Sequence, residues 1–126
     1  MNVLIVDDES QMCEMLEGIL KDYSNNIHIA HNGSDGFDIF NKFNKTFDLI
    51  ISDFNMPILN GVEFRKKIFD SNKDCPPFII YTGNVDGVMR QEIEGELLAV
   101  VSKSDIETLE KHIVEIKNKV LGSTNE

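Results

Sequence analysis

Apolar residues along this chain fall into two alternating rhythms. The unbroken runs Val3-Leu4-Ile5-Val6, Leu49-Ile50-Ile51 and Phe78-Ile79-Ile80-Tyr81 are too short for helices and too continuous for strands with one wet face. They predict strands covered on both sides, as inside a parallel sheet. Ile27 and Ile29 flank His28 in another short strand, and Leu97 to Val101 forms a last one. Between these runs the apolar spacing lengthens to three and four. Met12, Met15, Leu16, Ile19, Leu20 and Tyr23 mark one amphipathic helix, Phe37, Phe40 and Phe43 a second, and Val62, Phe64, Ile68 and Phe69 a third. Ile106, Leu109, Ile113, Ile116 and Val120 give the clearest helix, with Ser104 and Glu107 as a capping-box pair at its start. Gly87 and Gly95 bracket a short acidic helix holding Val88, Met89 and Ile93; two glycines make it marginal, and it is expected to be mobile. The phenylalanines of the second helix and the methionines stand at core spacing and read as packing.

Turn signals at Asn32-Gly33, Asn60-Gly61, Pro76-Pro77 and Thr82-Gly83-Asn84 separate the elements. The layout is five βα units in one domain over residues 1–121, followed by a polar tail over 122–126. Such units imply an α/β fold, a parallel sheet with helices on both faces and right-handed crossovers. All strand carboxyl ends then share one edge, where open α/β sheets bind ligands. Read in order, that edge carries Asp7 and Asp8, Asn32, Asp53, Thr82 and Lys103. Asp53 ends its strand most abruptly, before Phe54-Asn55-Met56-Pro57 turns the backbone. Alone, a carboxylate so placed is a nucleophile, a metal ligand or the cap of a turn. Caps explain one or two such residues, but not the whole set.

Composition narrows the classes of function. A chain of 126 residues can bury a core without disulfides or metal staples. Cys13 and Cys75 show no CxxC pairing and read as reduced structural thiols. No apolar run approaches the ~20 residues of a membrane span, and no basic segment leads into a signal-peptide core, so a cytoplasmic location is expected. A net charge of −10 argues against direct binding to nucleic acid or an anionic membrane, and favours neutral or basic partner surfaces.

The chemistry that wants this edge is phosphoryl transfer to a carboxylate. Asp7, Asp8 and Asp53 crowded together repel one another, and a divalent cation relieves that cost. Oxygen ligands with positions open to water suit Mg²⁺. An Asp53 oxygen could then attack phosphorus, with the Lys103 ammonium opposite as a point charge and the Thr82 hydroxyl bonding the arriving group.

Val6-Asp7-Asp8-Glu9, Asn32-Gly33, Ser52-Asp53 with Met56-Pro57 and Asn60-Gly61, Thr82 and Lys103 together resemble the motifs of the CheY-like receiver domain of two-component response regulators, over about Asn2 to Leu121. The resemblance implies a flavodoxin-like (βα)5 three-layer sandwich with strand order 2-1-3-4-5. It implies that Asp53 is the phosphoacceptor, charged from a histidine of a sensor kinase or phosphotransfer protein. Asp8 and Asp53 would hold Mg²⁺ with the backbone carbonyl of Asn55, Asp7 would act mainly through water, and Thr82 and Lys103 would bind the phosphoryl group. A downstream effector protein would read the surface around residues 83–105, and a phosphorylation-dependent dimer is compatible with the family. The receiver would stand alone or belong to a longer regulator.

Two departures stand out. Ser104 follows the lysine where the family usually has proline, so a trans Lys103-Ser104 bond is expected. Val100 stands where the family often carries an aromatic switch residue, which moves the expected signalling onto the loop at Thr82-Gly83-Asn84 and the glycine-bracketed helix. Enzymes of the haloacid dehalogenase type are a mechanistic rival, but Asn55 stands where they need a second acid. A degenerate receiver acting only as a scaffold is the third class. Glu9 reads as a helix-start acid or a water-mediated metal contact. His28, His31 and His112 read as surface or strand-end residues, and Glu92, Glu94 and Glu96 as a solvated face or part of a partner surface.

Overall fold

The computed structural model describes residues 1–43, 46–72, 75–91 and 99–124. Five strands alternate with five helices: β1 Asn2–Val6, α1 Ser10–Leu20, β2 Asn26–Ala30, α2 Gly33–Lys42, β3 Leu49–Ser52, α3 Gly61–Asn72, β4 Phe78–Thr82, α4 Val85–Met89, β5 Ala99–Ser102 and α5 Ile106–Thr124. The strands form one parallel sheet in the order β2-β1-β3-β4-β5. Every residue of β3 and β4 is buried, as their unbroken apolar runs predict.

The two-residue period of a strand divides the core. Val3, Ile5, Leu49, Ile51, Ile79, Tyr81 and Val101 pack with Leu16 and Leu20 of α1 and Leu109, Ile113 and Ile116 of α5. Leu4, Val6, Ile50, Phe78 and Ile80 face the other way, onto Phe40 of α2, Phe64 and Ile68 of α3 and Val88 of α4. Three layers result, with the sheet between two hydrophobic cores.

The helix ends depart from the sequence expectation in instructive ways. α5 is capped by Asp105, whose carboxylate accepts from the Thr108 N–H at 3.2 Å and the Thr108 hydroxyl at 2.7 Å. Ser104, the expected cap, instead pairs its hydroxyl with Ser102 at 2.8 Å. The helix continues through Gly122 to Thr124, beyond the expected end at Leu121. Gly87 lies inside α4 rather than at its border, and its N–H donates to the capping Asn84 side chain at 3.0 Å. An added Cβ there would stand 2.3 Å from Asn84 Nδ2, so a side chain at this position would push the capping amide aside. Ile93, Gly95, Glu92, Glu94, Glu96 and the start of the expected strand at Leu97 lie outside the described residues. Three residues expected on buried faces are on the surface: Met89 is 69% exposed, Ile106 at the start of α5 is 42% exposed, and Phe43 follows the last turn of α2 at 38%. The Phe43 ring is not idle, since it tilts over His28 with centroids 4.3 Å apart.

Candidate functional site

β1 and β3 are neighbours, yet the chain leaves them for opposite edges of the sheet, β1 towards β2 and β3 towards β4. Their following loops therefore diverge and open a crevice at the carboxyl edge. Asp7 and Asp8 follow β1, and Asp53 follows β3. Three bonds of the sheet type continue one residue past the strands and fix the site backbone: Asp7 N–H to Ala30 O at 3.0 Å, Asp53 N–H to Val6 O at 2.9 Å, and Lys103 N–H to Thr82 O at 2.9 Å.

The expected carboxylates come together. Asp7, Asp8 and Asp53 each offer an oxygen within 4.8 Å of the others; Asp7 and Asp53 are buried and Asp8 is exposed. Lys103 reaches in from beyond β5, its Nζ 3.2 Å from Asp53 Oδ2, 3.4 Å from Asp7 Oδ2 and 3.6 Å from Glu9 Oε1. Glu9 is thus a partner of the lysine, while its own N–H donates to Asp7 Oδ1 at 2.9 Å. Burial pushes the Asp7 carboxyl above its ordinary value, opposed by the Glu9 N–H and reinforced by the charge of Asp53. Burial also raises Asp53, with Lys103 and the Phe54 N–H pulling the other way. Lys103 itself loses solvation, but Asp53 and Asp7 more than compensate and raise its pKa. The buried Cys13 thiol, bonded to the Asp7 carbonyl, is pushed up to about 11 by burial and by Asp7 and Asp8.

Thr82 is fully buried, and its hydroxyl accepts from the Asn84 N–H at 2.9 Å. Asn55 is exposed, two residues after Asp53. Asn32 is occupied as the cap of α2, accepting from the Asp35 N–H at 2.8 Å, so it belongs to the edge but not to the charged cluster. The Lys103-Ser104 bond is trans, as the lack of proline implies. Val100 is half-buried against the core beneath α2 to α4.

Three groups support the site through contacts that the sequence pattern does not show. The Tyr81 hydroxyl donates to the Lys103 carbonyl at 3.0 Å and ties the lysine to the α1/α5 core. His31 Nδ1 stands 3.2 Å from the Asp7 carbonyl. Gly61 lies so close to Asp53 that an added Cβ would be 2.4 Å from its carbonyl oxygen, and the Gly61 N–H donates to Phe54 O at 2.9 Å. An Asn60-Glu63 capping box, with both reciprocal bonds at 2.8 Å, starts α3 at that point and was legible as Asn-x-x-Glu.

The response regulator receiver domain family matches residues 3–114. The chain belongs to that family. Taking a phosphoryl group on an aspartate is the function of these receiver domains. Among curated proteins, this receiver domain is similar to the probable transcriptional regulator ycf29 of Porphyra purpurea, 34% identical over 75% of this chain and 44% of that protein. It is also similar to the response regulator ArlR of Staphylococcus aureus, 34% identical over 67% of this chain and 36% of that protein. The chain thus spans less than half the length of these relatives. The response regulator TrrA of Thermotoga maritima, solved in complex with Mg²⁺-BeF, has the same fold at TM-score 0.76 and 26% identity, over 92% of this chain and 99% of that one. A receiver domain from Clostridium thermocellum superposes at TM-score 0.77 with 23% identity, over 94% of each chain.

Proposed function

We propose that Asp53 is the phosphoacceptor of this receiver, taking its phosphoryl group from a phosphohistidine on a sensor kinase or histidine phosphotransfer protein. The observation that carries the reading is a buried carboxylate with an ammonium 3.2 Å away and two further carboxylates beside it. Asp7, Asp8 and Asp53, with the backbone carbonyl of Asn55, form an oxygen-only set that fits Mg²⁺. When bound, that ion supplies positive charge against carboxylate repulsion and phosphoryl oxygens. Burial first, and carboxylate repulsion after it, raise the Asp7 and Asp53 carboxyls above their ordinary values, and a cation held between them would offset both costs.

In the transfer, an Asp53 oxygen forms the new bond to phosphorus while the bond to imidazole nitrogen breaks and its electron pair stays on the ring. Lys103 keeps its charge beside the acceptor, where its three donors can follow the phosphoryl oxygens. The Thr82 hydroxyl can give its proton to one of those oxygens and still accept from the Asn84 N–H. Drawn towards the new group, Thr82 would pull on the loop that caps α4, altering the surface around residues 83–105 read by an effector or by a second copy of the domain. Asn55, an amide, offers no acid for a leaving group, which favours a single self-modification over turnover of outside substrates. No described helix is long and apolar enough to cross a membrane, in keeping with a cytoplasmic role.

Acetyl phosphate with Mg²⁺ tests the reading by intact mass. Wild type should gain one phosphate and Asp53→Asn none; no gain in wild type, or equal gain in both, removes the proposal.

A further inference from the structure

The loop returning from Asp53 to α3 holds the only positive-φ residue other than glycine among the described residues, Ile58 at φ 76°. The Leu59 N–H donates to Pro57 O at 2.9 Å. A bond across two residues with that φ at the centre makes Pro57-Ile58-Leu59 a γ-turn of the positive-φ form, which is rare and strained. A β-branched residue is the worst suited to it, and glycine the best. The neighbours have packing to do: Phe54 is buried, and Leu59 lies against the start of α2, where an added Cβ on Gly33 would meet it at 2.9 Å. Ile58 does not, since it is 74% exposed, more than any other large apolar residue described.

The domain therefore carries backbone strain and an exposed aliphatic side chain at one position; its packed neighbours hold the turn, but the Ile58 side chain itself gains little burial from it. Strain of this kind persists where the surrounding structure enforces it, and it clusters at active sites, ligand clamps and switch regions. The location specifies the partner. Asp53 is only 6% exposed, at the foot of the crevice, and the loop from Phe54 to Asn60 leads directly out of it. An imidazole side chain is short, so the surface bearing it must descend onto that loop to deliver phosphorus, whereas a small phosphodonor need not touch it.

We infer that Ile58 is an apolar anchor for the protein that carries the phosphohistidine, and so a specificity-determining residue for phosphotransfer. The inference deepens the phosphoacceptor reading and rests on it. Neither the charge cluster nor the phosphoryl-binding groups include Ile58.

The test compares wild type with Ile58→Gly and Ile58→Leu. Phosphotransfer is profiled against the autophosphorylated histidine kinases and phosphotransfer proteins of the source organism, and the fastest wild-type donor becomes the probe. Ile58→Gly should accept phosphate from acetyl phosphate at the wild-type rate and melt no lower. Its kcat/KM from the donor protein should fall about ten-fold, through KM, as expected for losing one buried aliphatic contact. Ile58→Leu should recover part of that loss. Unchanged transfer from the donor overturns the inference, as does a parallel loss with acetyl phosphate, which would mean a distorted loop. Failure of wild type with both donor types overturns the phosphoacceptor reading itself, and the acetyl phosphate arm tells the two failures apart.

Discussion

Replacing Asp7 with asparagine should stabilise the metal-free protein, although it deletes one member of an ion pair. Lys103 Nζ, 3.4 Å away, attracts the carboxylate, and at an effective dielectric of 20 that attraction is about 5 kcal/mol. Asp53 stands within 4.8 Å, and its repulsion on the same scale is roughly 3–4 kcal/mol. Asp8 adds repulsion of the same sign, and the Asp7 side chain is only 2% exposed, so burial opposes its charge by several kcal/mol, on the order of the penalty for any buried ion. Repulsion and burial win, which is why the Asp7 carboxyl lies above its ordinary value. The substituted amide keeps an oxygen to accept the Glu9 N–H, so geometry survives. A gain of about 1–2 kcal/mol follows, or roughly 3–8 °C in Tm. A carboxyl with a raised folded pKa binds its proton more tightly in the fold. Its ionised form therefore subtracts stability at neutral pH, and the subtraction fades as pH falls through the folded value and is gone below the unfolded one. The advantage of Asp7→Asn should thus be largest near neutrality and vanish towards about pH 4. Calorimetry in EDTA across that window, then with Mg²⁺, gives the answer, and Mg²⁺ should raise the Tm of wild type more than that of the variant. A lower Tm for the variant in EDTA at neutral pH would refute this balance of forces.

Gly61→Ala places its Cβ 2.4 Å from the Asp53 carbonyl oxygen and 3.2 Å from Phe54 Cα, both backbone. It should cost about 1–3 kcal/mol and slow acetyl phosphate labelling, measured by melting and mass spectrometry together. Asn60→Ala removes one bond of the α3 capping box and should lower stability by about 1 kcal/mol in urea titration. Tyr81→Phe frees the Lys103 carbonyl and should cost about 1 kcal/mol, with the amide signals of residues 103–105 shifting in an NMR spectrum. Phe64→Ala, at the centre of the α2 to α4 core, should cost about 3–5 kcal/mol.

The strands were the most legible part of the sequence, because a four- or five-residue apolar run such as Phe78 to Tyr81 has few places to go except between two layers. The strand order was not: it came with the family resemblance, since a periodic pattern says which residues are buried but not beside whom. Asp7, Asp8, Asp53 and Lys103 could be placed together because parallel strands send their carboxyl ends to a common rim. Local contests went the other way. Ser104 and Asp105 are both good caps, and the Ser104 hydroxyl is taken by Ser102 at the end of β5, which leaves the helix start to Asp105. Tyr81 read as core because an apolar run hides a hydroxyl whose partner, the Lys103 carbonyl, is distant in sequence. Met89 has core spacing on paper, but α4 is a single short turn with room to bury little beyond Val88.

The division of the interior has a consequence of its own. Leu16 and Phe64 serve opposite sides of the sheet and share no cluster, so truncating both should give nearly the sum of the single losses. The sheet works as a bulkhead: damage or novelty on one side need not flood the other. The outer helices on either flank can therefore be redrafted independently, while the acidic rim where both flanks end keeps its geometry.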